Sequence, residues 1–489
     1  MSLVERIARG VKASFGATIL DILSGGLLIL VLTRVLLTTE QYGQLNFVVS
    51  ALSVVTILAT LGLPKSAARY VTEFAETDPG QVPHVVRKSL SFLTVLVVLV
   101  VVGTLVLGRP VAHAVDAPSV VPYLLVGTVY VAGRAYWKYF SALFQGFNRV
   151  TYSAAVAVVV SVTRLPLVVA FVLLGFGVGG ALAGYGLSAA LAAAVGAVLA
   201  YTRFYTTYDA ATTADSDLSR RILEYSVPLT ATRGANVLDK KVDVLLVGIL
   251  VNMTAVGYYT IAKQVSDFVS APASSFGYTI SPALGEQSSR DRVDRAATLY
   301  EQSLTYVLVA YVPAVVGLVL VAEPTVRYVF GTDYLGAVPV LQVFSGFILV
   351  NALNKVTSDG LDYLGRARSR AIIKSAMAVG NFVLNLALIP IFGVVGAAVA
   401  TVLTYTVYTL SNVYFIHQEL SIDVGRVLRR LAVVCMVTVG MAVSVWAVLP
   451  YVSGLATLFG VVFLGAAIWA VLSVAGGILD VQKVARLLT

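Results

Sequence analysis

The sequence predicts an all-α integral membrane protein with about 14 transmembrane helices. Hydrophobic residues make up 58% of its 489 residues and charged residues only 12%, about half the charged share of a soluble globular protein. The apolar runs reach about 20 residues or more, the length that an α-helix needs to cross a bilayer. Transmembrane strands would instead produce alternating segments of about ten residues.

Fourteen spans follow from these runs, taken in chain order. They lie near 14–37, 42–63, 89–108, 119–143, 151–175, 178–202, 225–251, 254–283, 298–322, 335–361, 369–391, 393–417, 427–449 and 452–478. Two runs are too long for one crossing. We divide them at Phe176-Gly-Val-Gly-Gly and at Phe392-Gly-Val-Val-Gly.

The basic residues predict the orientation of the spans. With a cytoplasmic N-terminus, 23 of the 34 lysines and arginines fall in segments on the inner side, and three fall in outer loops. The positive-inside rule therefore favours fourteen helices with both termini in the cytoplasm, and we expect the protein in the plasma membrane. The net charge of +9 is explained by topology, so we expect no nucleic acid partner.

An internal repeat predicts the domain organisation. The two Phe-Gly-Val motifs are 216 residues apart, and Gly43 and Gly257 are 214 apart. We expect six-helix lobes at 1–203 and 225–418, joined by a solvated cytoplasmic linker at 204–224. Helices 13 and 14 follow at 419–489. Six crossings return the chain to the same side, so the lobes are expected to be parallel repeats around a central cavity.

Charged residues within the spans predict what lines that cavity, because each costs about 2.5–3.5 kcal/mol at the bilayer centre. The seventh span is the richest, and most of its charges fall on one helical face. Seven cations are candidates for binding an anion such as phosphate or pyrophosphate. They are Arg134, Lys138, Arg164, Arg233, Lys240, Lys263 and Lys355.

Carboxylates in the same spans are candidates for ion coupling. They are Asp21, Asp239, Asp243, Asp267 and Asp359. Their pattern does not decide between Na⁺ and H⁺. A structural alternative stays open for Lys263 with Asp267 and for Lys355 with Asp359, because four-residue spacing lets each pair neutralise itself.

Other chemistry is disfavoured by what the sequence lacks. Cys435 is the only cysteine, and the three histidines are far apart, so we expect no disulfide, no metal site and no cofactor. Asp215-Ser-Asp217 resembles the Asp-x-Asp motif of glycosyltransferases. Its loop of about 20 residues is too short for a nucleotide-sugar domain. We therefore expect no enzymatic activity.

Several short motifs resemble those of a known family. They are Leu32-Thr-Arg34-Val-Leu-Leu-Thr-Thr-Glu40-Gln-Tyr42-Gly43, Gly62-Leu63-Pro64, Asp243-Val-Leu-Leu-Val-Gly, Ala255-Val-Gly257-Tyr258-Tyr259 and Leu364-Gly365-Arg366. With the second Phe-Gly-Val motif, they make the chain similar to the polysaccharide biosynthesis flippases of the multidrug/oligosaccharidyl-lipid/polysaccharide exporter superfamily. The resemblance covers about residues 3–420. The individual positions that match the family's motifs are Arg34, Gly43 and Asp243.

The resemblance implies two lobes that alternate between inward-open and outward-open states. It implies a polyprenyl-(pyro)phosphate-linked oligosaccharide as cargo, with flipping driven by an ion gradient or by membrane potential. Membrane lipids are implied partners, and association with glycan-assembly enzymes stays open. A cation-coupled multidrug antiporter of the same superfamily and a membrane scaffold for glycan assembly are the alternatives.

Overall fold

The computed structural model describes residues 3–114, 117–289 and 293–477, and these contain helices and no β-strand. The helices are α1 (Leu3–Val31), α2 (Thr39–Thr60), α3 (Leu63–Thr77), α4 (Val82–Ala114), α5 (Leu124–Gly146), α6 (Val150–Phe171), α7 (Gly177–Arg203), α8 (Leu218–Leu250), α9 (Met253–Ser289), α10 (Val293–Leu320), α11 (Ala322–Thr325), α12 (Val338–Tyr363), α13 (Ala367–Leu420), α14 (Val424–Val448) and α15 (Leu455–Ala475). Because α13 bends at Gly393, the described residues hold fourteen long helical segments. Short 3₁₀ and π-helical turns join several of them.

Nine stretches of the described residues are long and apolar enough to cross a membrane, by length and composition. They are Lys12–Leu36, Thr39–Thr77, Pro79–Ala114, Val150–Thr207, Val293–Leu320, Thr332–Tyr363, Arg368–Leu420, Val424–Tyr451 and Leu455–Ala475. Two of them, Val150–Thr207 and Arg368–Leu420, each contain two long helical segments. The remaining three long helices, α5, α8 and α9, carry many of the predicted intramembrane charges.

The outer face of α4 is apolar and exposed, as expected for a helix that faces lipid. Val95, Leu99, Val102 and Val106 recur at helical spacing and are each more than half exposed. Soluble proteins rarely expose such a continuous apolar surface. The prediction of an all-α, multi-pass membrane protein is confirmed.

Glycines break the two long apolar runs where the sequence predicts a division. Gly175 and Gly177 have φ values of +92° and +49°, between α6 and α7. Gly393 has φ +57° inside α13. Only glycine adopts such conformations without strain, so these residues allow each run to form two segments.

Contacts between Cα atoms divide the chain into two compact units, Met1–Thr254 and Ala255–Thr489. In the first unit, α7 packs against α5 and α6, and α8 packs against α2 and α3. In the second unit, α12 packs against α13 and α10, while α14 packs against α10 and α15. The lobe boundaries predicted from the repeat remain a prediction, and α8 belongs to the first unit by contact.

Small residues let α5 and α7 approach closely within the first unit. A Cβ atom added to Gly133 would lie 2.8 Å from the backbone nitrogen of Ala190 and 2.9 Å from the carbonyl oxygen of Gly186. A Cβ atom on Gly186 would in turn lie 3.0 Å from the backbone nitrogen of Tyr130. Close backbone approach at small residues is a common way for membrane helices to associate.

Replacing Gly133 with Ala should therefore destabilise the protein, by about 1–3 kcal/mol for an overpacked site. We expect a lower unfolding temperature in detergent and less monodisperse protein. Gly103→Ala on α4 is the matched control, because a Cβ atom there meets nothing within 4 Å. Equal stability of the two variants would contradict the close approach of α5 and α7.

The linker between α7 and α8 is tethered to the first unit although many of its residues are exposed, and the solvated cytoplasmic linker at 204–224 stays a prediction. The amide of Gln81 donates a 3.1 Å hydrogen bond to the backbone carbonyl of Thr213. Its side-chain oxygen accepts a 2.9 Å bond from the backbone N–H of Asp215. The side chain of Gln81 thus binds one acceptor and one donor of the linker backbone.

An ion-pair network fixes the start of α8 beside the docked linker. Arg221 donates to Glu73 on α3 and forms a 3.2 Å ion pair with Asp215. Burial lowers the pKa of the Arg221 guanidinium, but hydrogen bonds and charge interactions with both carboxylates outweigh burial and raise the pKa overall. Glu73 lies 148 residues from Arg221 along the chain, so sequence spacing does not indicate that they pair.

Candidate functional site

A cavity of about 430 Å³ opens within the first unit. Residues from α1, α5, α6 and α7 provide nearly all of its lining. Its charged residues within the described part of the chain are Asp21, Arg134 and Arg164, and serines and two tyrosines supply most of the remaining polar groups. Three residues that the sequence singled out on three separate helices are thus brought to one cavity.

Arg164 and Asp21 form the ion pair of this cavity. The Nη2 atom of Arg164 lies 3.2 Å from Oδ1 of Asp21, and the hydroxyl of Ser161 donates to the same oxygen at 3.0 Å. The guanidinium also lies over the ring of Tyr185, 5.9 Å from its centroid. The Arg164 side chain is 18% exposed, whereas that of Asp21 is 57% exposed. The carboxylate is therefore the accessible partner.

Arg134 has no carboxylate partner among the described residues. Its guanidinium donates to the hydroxyl of Tyr130, one helical turn earlier on α5, and lies 5.4 Å from the centroid of that ring. Tyr130 in turn lies 3.4 Å from the hydroxyl of Ser53. The Nε atoms of Arg134 and Arg164 are buried without a hydrogen-bond acceptor among the described residues. The described lining residues thus comprise two cations and one carboxylate, a surplus of positive charge.

A second cavity, also about 430 Å³, lies beside α5 as well, and it is lined by residues of α2, α3, α5 and α8. It contains Lys138, together with Lys65 and Asn236. Trp137, Ser141 and Gln145 on α5 line both cavities. Lys138 is therefore close to the first cavity along α5 without lining it.

The charged residues of α8 do not share one environment. Asp243 is only 2% exposed, Asp239 is half-buried and Lys240 is exposed. All three have interaction partners. None of the three lines either cavity. The side chain of Arg233 lies outside the described residues.

The remaining predicted residues belong to the second unit. Lys263 is half-buried on α9, with its Nζ atom 5.6 Å from the ring centroid of Tyr259. Asp267 is exposed on the same helix, and both charged residues have interaction partners. Lys355 and Asp359 are half-buried on α12. They interact through charge, but the described contacts include no ion pair between them within 4.0 Å.

Reasoning from charge missed two aromatic residues that line the first cavity. Trp137 lies three residues after Arg134 on α5, and Tyr185 lies between two glycines on α7. The spacing of Trp137 on the polar face of α5 was a usable signal. Tyr185 had none, because its contact with Arg164 depends on how α6 and α7 pack.

Comparisons with known proteins agree with the membrane fold. The chain is 27% identical over 180 residues to the protein named "Probable low-salt glycan biosynthesis flippase Agl15" of Haloferax volcanii, a match that spans 37% of this chain and 38% of that protein. The structure is similar to that of the lipid II flippase MurJ in an inward closed conformation, with TM-score 0.74 and 13% identity over 95% of this chain and 98% of that chain. It is also similar to an inward-facing multidrug resistance MATE transporter of the MOP superfamily, with TM-score 0.67 and 16% identity over 82% and 94% of the two chains.

A family model described as polysaccharide biosynthesis protein matches residues 7–287. That match covers more than half of the 489 residues and includes all the elements that line both cavities. The resemblance inferred from the short motifs is confirmed: the chain belongs to the polysaccharide biosynthesis protein family.

Proposed function

We propose that the protein is a flippase for a polyprenyl-(pyro)phosphate-linked oligosaccharide. It moves the lipid from the cytoplasmic to the outer leaflet by alternating access, for assembly of cell-surface polysaccharide or glycoprotein glycans. The family supports a role in polysaccharide biosynthesis, and the flippase name of the Haloferax volcanii relative supports the reaction. In this proposal both termini are cytoplasmic and the membrane is the plasma membrane.

The observation that carries the proposal is the surplus positive charge of the first cavity. Arg134 and Arg164 line one cavity, and Asp21 is its single carboxylate among the residues that the structure describes. An Arg side chain offers several N–H donors in a fixed plane, which matches the oxygens of a phosphate group. An intramembrane site with more cations than carboxylates gains most from an anionic cargo, because an unpaired charge is costly there.

The cations of the two cavities match the charged head group of such a lipid. Arg134 and Arg164 bind the phosphate or pyrophosphate, while Lys138 adds positive charge in the neighbouring cavity. The prenyl tail remains among membrane lipids, where its burial costs nothing. Asp21 is the leading candidate for coupling to an ion gradient, since its exposed carboxylate already meets a cation. Na⁺ and H⁺ both fit this role.

A cation-coupled multidrug antiporter is the second candidate, and the similarity to a MATE transporter fold favours it. A binding cavity for cationic drugs is expected to be acidic or aromatic. The first cavity has aromatic residues but more cations than carboxylates. This charge balance favours the flippase.

The test is reconstitution in liposomes with a fluorescent polyprenyl-diphosphate-linked sugar. Loss of fluorescence on adding a membrane-impermeant quencher reports the share of lipid in the outer leaflet. We expect the protein to accelerate transfer between leaflets well above the rate of protein-free liposomes. Ethidium transport without acceleration of the lipid-linked sugar would overturn the flippase in favour of the antiporter.

A further inference from the structure

One face of α5 carries a row of polar side chains whose charge decreases along the helix beyond Arg134. Tyr130, Arg134, Trp137, Ser141 and Gln145 follow one another at intervals of three or four residues, so they lie on one face of the helix. At a rise of about 1.5 Å per residue, Trp137 lies about 4.5 Å beyond Arg134 along the helix, and Ser141 about 10 Å beyond it. The charged end of this face is followed by an indole ring and then by neutral polar groups.

The neutral part of this face is accessible from two sides. Trp137, Ser141 and Gln145 line both of the cavities that flank α5. A group bound next to Arg134 in the first cavity can therefore extend along α5 without leaving the reach of these side chains. The shared residues define a continuous polar surface.

These side chains keep hydrogen-bonding capacity that the fold does not use. The indole Nε1 of Trp137 has no acceptor among the described residues. The hydroxyl of Ser141 lies 2.7 Å from that of Ser153, to which the amide of Gln145 donates at 3.3 Å. Gln145 is exposed, so its side-chain oxygen is accessible to a ligand. A helix face that only packed against other helices would not need these polar groups.

We propose that Trp137, Ser141 and Gln145 form a saccharide subsite beside the phosphate-binding arginines. The inference rests on the proposed function. A pyranose has apolar C–H faces that stack on an indole ring and a rim of hydroxyls that exchange hydrogen bonds with hydroxyl and amide groups, as polar groups in binding pockets do. A sugar attached directly to a phosphate held by Arg134 lies one helical turn away, at Trp137. The subsite thus contacts the first sugars of the glycan.

Two kinds of diphosphate diester, equal in charge, distinguish binding of the sugar from binding of the diphosphate. One carries farnesyl and glucosyl groups, with mannosyl and N-acetylglucosaminyl versions alongside, and the other carries farnesyl and methyl groups. The protein is held in detergent as a Trp446→Phe, Trp469→Phe variant, so that Trp137 is the only remaining tryptophan. We expect the glycosyl diesters to shift or quench its fluorescence, and the methyl diester to bind with much less spectral change.

Affinity measurements on variants of the native chain complete the test. We expect Trp137→Leu and Gln145→Ala each to weaken binding of at least one glycosyl diester, by about five- to tenfold for lost stacking or a lost hydrogen bond. Binding of the methyl diester should change less than twofold, which also verifies that the variants are folded. Trp446→Leu is the matched control, because Trp446 is an exposed tryptophan outside both cavities.

The possible failures are distinguishable. Equal weakening of glycosyl and methyl diesters, or no weakening of either, would overturn the saccharide subsite while leaving the phosphate site intact. Glycosyl diesters that bind no more tightly than the methyl diester would do the same. Absence of binding by every diester, the methyl diester included, would instead overturn the proposed function itself.

Discussion

Replacing Arg134 with Gln is expected to abolish flipping of the lipid-linked glycan while leaving the amount of folded protein near normal. Arg134 contributes a charge that no carboxylate of the described residues neutralises, and its hydrogen bond goes to Tyr130. Gln is long enough to keep a polar contact with that hydroxyl. Loss of a charge-assisted hydrogen bond costs about 1.5–3 kcal/mol, or roughly 10- to 150-fold in affinity.

The liposome assay of leaflet transfer measures this loss, with the amount of protein checked by gel filtration. Arg134→Lys should retain part of the activity, since it keeps the charge and loses the planar donor set. Arg220→Gln is the matched control, because Arg220 pairs with Glu224 on an exposed surface of α8. A poorly folded Arg134→Gln protein, or one with normal flipping, would assign Arg134 a structural role.

The second large effect is expected for Asp21→Asn, which removes the carboxylate that competes with an anionic ligand for Arg164. Without ligand, the variant should unfold at a lower temperature, because a half-buried guanidinium loses its counter-charge. Inorganic pyrophosphate should then stabilise the variant more than it stabilises the native protein. Removing the competing carboxylate should tighten pyrophosphate binding by about tenfold, equivalent to about 1.4 kcal/mol.

Thermal unfolding across a pyrophosphate titration measures both parts of this prediction. Asp209→Asn serves as the control, because Asp209 is an exposed carboxylate of the linker and lines neither cavity. If pyrophosphate shifted the native protein and Asp21→Asn by the same amount, Asp21 would not compete for the anion. Asp21 would then be a counter-ion for Arg164 without influence on ligand binding.

The sequence was sufficient to locate the membrane-spanning helices, because bilayer thickness constrains their length. Apolar runs of fixed length and the glycines near 176 and 393 located all fourteen long segments. The amphipathic helix α3 was missed, since its residues fell in a loop defined only by positive charge. Docking of the linker was missed as well, because Gln81 recognises backbone atoms and these leave no trace in the pattern of side chains.

The candidate site was predictable only where charge was the signal. Arg134, Arg164 and Asp21 stand out because an apolar span rarely contains them. That Asp21 pairs with Arg164 depends on the packing of α1 against α6, which no spacing along the chain encodes. Trp137 was overlooked because it is uncharged, although it shares the polar face of α5, whereas only the structure places Tyr185 at this cavity.

The docked linker has a consequence for how this family can diverge. Gln81 binds the backbone carbonyl of Thr213 and the backbone N–H of Asp215, and His84 contacts the carbonyl of Ala211 at 2.8 Å. Main-chain atoms are the same in every amino acid, so the side chain at 213 is free to drift through evolution. We therefore expect orthologues to retain Gln81 and His84, together with the Asp215–Arg221 ion pair, beside linkers that differ at their other positions.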